Sequence, residues 1–304
     1  MSGPAWFIGI LAAVGMIVVI GASYVPWYAR YRAYQHAVYL RLDLPSRLER
    51  VVGARLMARE RGAGIGGFVF TVAAILVLTL WSDPLDDALL GSWFVVGALL
   101  AGAGVGTAVA ALITRGDVAP GRPRVARAGA VAVRDYVAPF ERIGARVVVV
   151  LAVAAWIVVT AVDVPDDGAL ALGLAFFAVA GAVTLVLFEV ASRRIVDVPQ
   201  PAGSTAELVW DDAIRASALR DLLTGPLALG TYGLVFGAVG LGAIGNSAAS
   251  AAAFVGGGIV VASLVVNLIV GFVSRPARYF LDRLWADLRW SDTADTAATA
   301  TDAA

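Results

Sequence analysis

Residues 147–190 read VVVVLAVAAWIVVTAVDVPDDGALALGLAFFAVAGAVTLVLFEV, two apolar runs on either side of the acidic turn Asp163-Val-Pro-Asp-Asp167. Each run has roughly the 20 residues that an α-helix needs to cross the hydrocarbon core of a bilayer. Neither run carries a charged residue near its centre, whereas a surface helix of a soluble protein has a polar face along its length. The stretch therefore predicts a transmembrane helical hairpin.

The rest of the chain has the same character. Of its 304 residues 60% are hydrophobic and 15% are charged, whereas soluble domains carry about 25% charged residues. Seven apolar runs lie at about 5–25, 65–82, 88–113, 147–163, 168–190, 226–245 and 248–273. These runs predict an all-α integral membrane protein with seven transmembrane helices, one lone helix followed by three hairpins.

The distribution of basic residues predicts the orientation. All 23 basic residues are Arg, and segments 26–64, 114–146, 191–225 and 274–304 hold eight, seven, four and four of them. The short turns on the opposite side contain no Arg. Because basic residues collect on the cytoplasmic side of a membrane, we expect the N-terminus outside and the C-terminus inside, in the plasma membrane of a bacterium.

Two acidic turns suggest an internal repeat. Asp83, Asp86 and Asp87 have the spacing D-x-x-D-D, and Asp163, Asp166 and Asp167 repeat it 80 residues later. Each hairpin also ends in a hydroxyl residue followed by Arg, as Thr114-Arg115, Ser192-Arg193 and Ser274-Arg275. These offsets predict parallel repeats of about 80 residues around an axis along the membrane normal.

The predicted spans divide the chain into nine segments. They are a first transmembrane anchor at 1–27, a basic cytoplasmic helical segment at 28–64, hairpin 1 at 65–113, a basic cytoplasmic loop at 114–146, hairpin 2 at 147–190, a cytoplasmic helix at 191–225, hairpin 3 at 226–273, an amphipathic interfacial helix at 274–290 and a disordered tail at 291–304.

Capping signals place helices within the cytoplasmic segments. Ser46-x-x-Glu49 is a capping box that opens a helix to about Arg61. Ser204-x-x-Glu207 opens a second helix, with Leu208, Leu219, Leu222 and Leu223 on one side and an Asp211–Arg215 pair, that Gly225-Pro226 ends. After Pro276 the segment 277–290 places its aromatic and leucine residues on one side, which is typical of a helix at a membrane surface.

Glycines recur at the spacing that allows helices to approach closely in lipid. The pairs are Gly62/Gly66, Gly102/Gly106 and Gly233/Gly237. Residues 62–67 also satisfy G-x-G-x-x-G, but a dinucleotide site needs a strand before the motif, and here a predicted helix precedes it. We expect close helix packing, with homo-oligomerisation through one of these faces as the alternative.

Two kinds of site remain as candidates. The six aspartates of the acidic turns, Asp83, Asp86, Asp87, Asp163, Asp166 and Asp167, could together bind a cation such as Ca²⁺, which takes six to eight oxygen ligands; alternatively, they are outside because basic residues are kept inside. Asn267 is the most polar side chain within a span, and we expect it, with Thr71, Thr107, Thr184 and Thr231, to hydrogen-bond across helices. We expect Glu189 to pair with Arg193 and His36 to lie on the surface.

The absent residues exclude several activities. Without Cys there are no disulfides and no thiolate metal sites, and without Lys there is no Schiff base and no Walker-type phosphate loop; one His cannot build a two-His metal site. No catalytic or cofactor motif is present, so we predict a protein that is not an enzyme and binds no cofactor.

The composition, Arg without Lys, and the segment Trp210-Asp-Asp-Ala-Ile-Arg-Ala-Ser-Ala-Leu-Arg220 resemble multi-pass membrane proteins of high-GC actinobacteria that carry no assigned activity. The resemblance implies no functional residues. The sequence favours an accessory, scaffold or regulatory membrane subunit that contacts anionic lipid at the cytoplasmic face and binds a protein partner, and it predicts no nucleic-acid binding. The alternative is a permease or facilitator for a small uncharged solute.

Overall fold

The computed structural model describes residues 3–80, 88–113, 131–161, 168–198, 200, 202–243 and 278–286. About 91% of these residues are helical and none of them is in a β-strand, which confirms the predicted all-α class. The helices are α1 (Gly3–Ala22), α2 (Pro26–Leu40), α3 (Ser46–Leu80), α4 (Ala88–Ile113), α5 (Val133–Tyr136), α6 (Pro139–Ala161), α7 (Gly168–Asp197), α8 (Thr205–Ala243) and α9 (Tyr279–Leu284).

Four described helices, α3, α4, α6 and α7, are long and apolar enough to cross a membrane. The bent pair α1 and α2 adds a fifth span if it is counted as one. The described chain therefore supports four to five of the seven predicted spans. The sixth predicted run begins within α8, and the seventh, 248–273, lies outside the described residues.

Two helices continue where the sequence predicted an end. α3 runs without a break from Ser46 to Leu80, so the predicted end near Arg61 is wrong. No proline interrupts it, and the glycines at 62–67 keep helical geometry because they pack against a neighbouring helix. α8 likewise passes through Pro226 to Ala243, so Gly225-Pro226 does not end it. Proline removes one backbone hydrogen bond, and packing against neighbouring helices tolerates that loss within membranes.

The predicted start of α8 is confirmed in detail. The Ser204 hydroxyl oxygen accepts a hydrogen bond from the Glu207 backbone N–H at 3.3 Å. The Glu207 carboxylate in turn accepts one from the Gly203 N–H at 2.7 Å. This reciprocal arrangement satisfies two N–H groups that would otherwise have no partner at the helix start.

Glycine contacts show how the spanning helices run relative to one another. A Cβ on Gly62 or Gly66 of α3 would meet the backbone of Gly106 or Gly102 of α4, so α3 and α4 are antiparallel with touching backbones. Gly233 of α8 faces Ala152 of α6, and the next glycine along, Gly237, faces Ala155, so these two helices are parallel. The predicted close packing at all three glycine pairs is confirmed.

The same criterion places the other helices. α7 is antiparallel to α8, since Thr184 lies beside Gly225 and Leu174 lies beside Gly237. α1 is antiparallel to α3, since its Gly9 meets Ile75 and its Ile20 meets Gly64. α4 is antiparallel to α8, since Gly104 lies beside Gly225 and the Trp93 ring lies 4.9 Å from the Tyr232 ring. The helices α3, α6 and α8 thus run one way and α1, α4 and α7 run the other, as a chain that crosses back and forth requires.

The final described helix is packed differently from its prediction. Phe280 and Leu281 of α9 are buried in an apolar cluster with Tyr136 and Leu219, and Leu284 and Trp285 pack against that cluster. The predicted apolar side of segment 274–290 therefore faces protein within the described residues, not lipid.

Candidate functional site

Charged side chains of the bundle meet at one end, where α6 and the apolar halves of α3 and α8 begin and where α7 ends. Among the described residues, five ion pairs join the helices α2, α3, α6, α7 and α8 to one another there, and we call their residues the polar layer. The pairs are Arg32–Glu60, Arg55–Asp211, Arg59–Asp221, Arg146–Glu189 and Arg220–Glu141. Every pair joins two different helices, so the layer fastens together α2, α3, α6, α7 and α8.

Arg59 is the most enclosed member of the polar layer, with a residue exposure of 7%. Its guanidinium donates hydrogen bonds to the Ser217 hydroxyl at 2.6 Å and to the Ile214 carbonyl oxygen at 3.4 Å, and it pairs with Asp221. A buried charge is tolerated only when it is paired and hydrogen-bonded. These bonds hold α3 against α8.

Asp211 sits between two arginines. Its carboxylate accepts from Arg55 of α3 at 2.5 Å and from Arg215 of its own helix at 3.1 Å, which confirms the predicted i,i+4 pair. Arg215 also donates to the carbonyl oxygens of Val196 at 3.2 Å and Val198 at 2.7 Å. These carbonyls belong to the last turn of α7 and the residue after it, where cations stabilise a helix end.

Asp212 is the centre of a second polar cluster and is fully buried. Its carboxylate accepts hydrogen bonds from the Tyr136 hydroxyl at 2.8 Å, the Gln200 amide at 2.6 Å and the Trp285 indole N–H at 2.9 Å. The donors come from α5, from the segment before α8 and from the residue after α9. One carboxylate thus draws together three short segments on the surface of α8.

Our sequence reasoning missed Asp212, although a signal was present. Asp212 lies four residues after Leu208 and seven before Leu219, on the same side of α8 as these buried leucines. A charged residue inside an apolar stripe is unusual, because burial of a carboxylate requires hydrogen-bond donors. The donors Tyr136 and Trp285 are far away in sequence, so their convergence could not be read from the pattern.

A cavity of about 300 Å³ opens beside the polar layer between α2, α6 and α8. Its polar lining comprises His36, Tyr39, Glu141, Ser217, Arg220, Asp221 and Thr224. Arg220 donates to one Glu141 oxygen at 3.0 Å, while the other oxygen and His36 Nε2 are buried and have no hydrogen-bond partner among the described residues. The cavity can therefore offer hydrogen bonds to a small polar molecule or water.

His36 does not lie on the surface as predicted. It is half-buried on the side of α2 that faces α8, with its ring 6.4 Å from that of Trp210. Burial, aided by the nearby Arg59 guanidinium, lowers the pKa of His36 to about 4. The imidazole is therefore neutral at neutral pH.

Two predicted polar interactions are also different in the structure. Glu189 pairs with Arg146 of α6, at 2.5 Å and 3.0 Å, rather than with Arg193. The hydroxyls of Thr107, Thr184 and Thr231 donate to carbonyl oxygens of their own helices, as threonine in a helix can, and not across helices. The buried Thr71 hydroxyl finds no partner among the described residues.

The remaining candidates lie outside the described residues. They are the acidic turns, with Asp83, Asp86, Asp87, Asp163, Asp166 and Asp167, and the intramembrane Asn267. Within the described ranges, no three His, Asp or Glu side chains are grouped to hold a metal ion.

Comparison with known proteins returned no match to the chain among protein-family models, curated proteins or solved structures. What the polar layer does chemically is to fasten helices to one another, because each of its five carboxylates pairs with an arginine of a different helix.

Proposed function

We propose that the protein is a non-enzymatic, multi-pass protein of the bacterial plasma membrane, and that it serves as a scaffold or regulatory subunit. Its cytoplasmic helices bind a protein partner. The observation that carries this proposal is the continuity of α3 and α8, which extend beyond their apolar halves without a break and are locked together by the polar layer. Such helices form a rigid platform rather than a set of mobile loops.

The orientation follows from the positive-inside rule. The polar layer and its surroundings face the cytoplasm, and the chain has seven spans with the N-terminus outside and the C-terminus inside. Apolar helices in the described chain support embedding in a membrane. The alternating directions of α1, α3, α4, α6, α7 and α8 are those that such a threading needs.

The chemistry of the platform's surface indicates the class of partner. Arg47, Arg50, Arg193 and Arg194 are exposed on the outer faces of α3 and α7, so the platform presents positive charge. Complementary charge steers association and favours the correct partner. The partner therefore carries an acidic surface.

Packing between the described helices weighs against the alternative, a permease for a small uncharged solute. Trp93, Phe177, Tyr232 and Phe236 fill the space between α4, α7 and α8, with ring centroids 4.9–6.4 Å apart. A pore needs a wetted path, and close-packed rings exclude water.

Purification of the full chain in mild detergent tests the proposal. We expect a partner in stoichiometric amount, and we expect its loss from the variant Arg50→Glu/Arg193→Glu/Arg194→Glu. The matched control replaces the same residues by Lys and keeps their charge, so it should retain the partner. Recovery of the chain alone, together with uncharged-solute flux in vesicles that contain it, would overturn the proposal in favour of the permease.

A further inference from the structure

The connection between α1 and α2 turns the chain by 95°. α1 is apolar from end to end and exposes large side chains that include Phe7, Leu11 and Val18, as a helix surrounded by lipid does. If α1 runs along the membrane normal, α2 lies in the plane of the membrane. Pro26 in the first turn of α2 helps to set this bend. Proline lacks a backbone N–H, and at the start of a helix that N–H would have no partner within the helix, so the new helix can begin there without loss.

The bend also lies at a defined depth. The Arg61 guanidinium stacks over the Tyr24 ring, 4.8 Å from its centroid, just before the bend. Arg61 is the last charged residue of α3 before the apolar residues 62–80. The bend is therefore level with the boundary between the charged and the apolar parts of the bundle, which is where lipid headgroups lie.

One face of α2 has no protein against it in the described chain. Trp27, Tyr31, Tyr34 and Val38 follow one another at intervals of four, three and four residues, which places them on one side of a helix. They are 64%, 49%, 66% and 58% exposed, and we call them the aromatic stripe. The opposite side is buried: Ala33 and Ala37 are 0% and 5% exposed.

The composition of the stripe identifies what covers it. Trp and Tyr have an apolar ring and a polar tip, so they concentrate at the headgroup level of a bilayer. The exposed Arg30 lies beside the stripe, where a cation is attracted to anionic lipid phosphates. The stripe is also continuous along the chain with the apolar surface of α1, so the bilayer that surrounds α1 reaches it.

We propose that α2 is an interfacial helix: the aromatic stripe lies among the lipid headgroups on the charged side of the membrane. α2 then connects the lipid surface to the polar layer, because its inner side carries Arg32, paired with Glu60 at 2.5 Å, and His36, which lines the cavity. The proposal concerns lipid contact and is independent of whether the platform binds a protein partner.

Spin labels attached to single introduced Cys residues test this proposal. The chain has no Cys of its own, so each variant carries one attachment site at a known position. We choose Tyr34→Cys and, as a second stripe position, Val38→Cys. Controls are Val14→Cys on the exposed side of α1 and Arg50→Cys on the exposed side of α3. The full chain is placed in vesicles of phosphatidylethanolamine and phosphatidylglycerol, and the accessibility of each label to O₂, which partitions into lipid, is compared with that to a water-soluble nickel complex.

We expect the ratio of O₂ to nickel accessibility at residues 34 and 38 to fall between the high value at 14 and the low value at 50, and to be several-fold above the latter. A ratio equal to that at residue 50 would overturn the proposal, because the stripe would then face water. Magnetic broadening between labels at 34 on two chains, or nickel protection only after a cytoplasmic protein is added, would also overturn it, because a second copy or a partner would then cover the stripe.

Discussion

The two halves of α3 pack by different means although they belong to one helix. Residues 62–80 approach α4 through Gly62 and Gly66, where backbone touches backbone. Residues 46–61 reach α8 through the long side chains of Arg55 and Arg59. Within a single helix, therefore, one half contacts its neighbour by touching backbones and the other half by ion pairs between long side chains.

The surrounding solvent explains this difference. Lipid tails are as apolar as leucine, so burial of apolar side chains between helices within a bilayer gains little, and close approach of backbones takes its place. Outside the bilayer, water makes apolar burial favourable, and the charged end of the bundle accordingly has a large apolar core that includes Tyr136, Trp210 and Leu219. The polar layer lies where these two regimes meet.

The largest effect is expected where backbones touch. A Cβ added by Gly66→Ala would fall against the Gly102 carbonyl oxygen, and backbone cannot move aside as a side chain does. We expect a loss at the upper end of the roughly 1–3 kcal/mol that overpacking costs, measured by unfolding the detergent-solubilised chain with increasing dodecyl sulfate. Gly15→Ala is the matched control, because its Cβ meets nothing within 4 Å. Equal stability of the two variants would contradict the close contact.

The second prediction is that His36, at the charged end of the bundle, makes the stability of the chain depend on pH. Because the pKa of His36 is lowered in the folded chain from 6.5 to about 4, the unfolded chain binds the proton more readily between these values. The free energy of unfolding should therefore decrease as the pH falls from 6.5 to about 4, by up to about 3 kcal/mol. The variant His36→Gln should lose this part of the decrease.

Unfolding measured at a series of pH values checks this prediction, with Gly15→Ala as the control. The control lies in the apolar helix α1, far from His36 in sequence, and should keep the full pH dependence of the parent. Identical pH profiles for His36→Gln and the parent would show that water reaches the imidazole and leaves its pKa ordinary.

The third prediction concerns the Asp212 cluster. Tyr136→Phe removes the hydroxyl that donates to Asp212 and leaves the buried ring in place. We expect a loss of about 1.5–2 kcal/mol, the low end for a hydrogen bond to a charged group, because Gln200 and Trp285 still donate. Tyr34→Phe, at an exposed position, should change stability by no more than about 0.5 kcal/mol. A similar result for both variants would mean that the hydroxyl contributes nothing.

The sequence predicts the helices better than the contacts between them. Apolar periods and capping signals identify the described spans and the start of α8, because hydrophobic length and a Ser–Glu spacing are local properties. Glycine spacing correctly indicates close packing for the same reason. The spacing does not predict which residue each glycine contacts, because a contact such as Gly66–Gly102 depends on how two helices cross.

The polar contacts were predicted least well. Local pairs such as Asp211–Arg215 are confirmed, whereas Glu189 takes an arginine from another helix and His36 becomes buried. A helix presents several side chains of suitable charge to each carboxylate, and tertiary packing decides among them. The predicted ends of α3 and α8 are wrong for a related reason. Neighbouring helices stabilise Gly62–Gly67 and Pro226 in helical form, and the local sequence does not show which helices will be neighbours.

The smallest effect is expected at the edge of the polar layer and locates the boundary between the two regimes. The Arg146 and Glu189 side chains are 44% and 33% exposed, and ion pairs open to water contribute about 0–1 kcal/mol. A double-mutant cycle with Arg146→Gln and Glu189→Gln should therefore give a coupling energy within that range, reduced further at high salt. A coupling of several kcal/mol that salt leaves unchanged would mean that lipid, not water, surrounds the pair. Lipid would then surround the start of α6 and the end of α7 as well, and the polar layer would lie inside the membrane rather than at its edge.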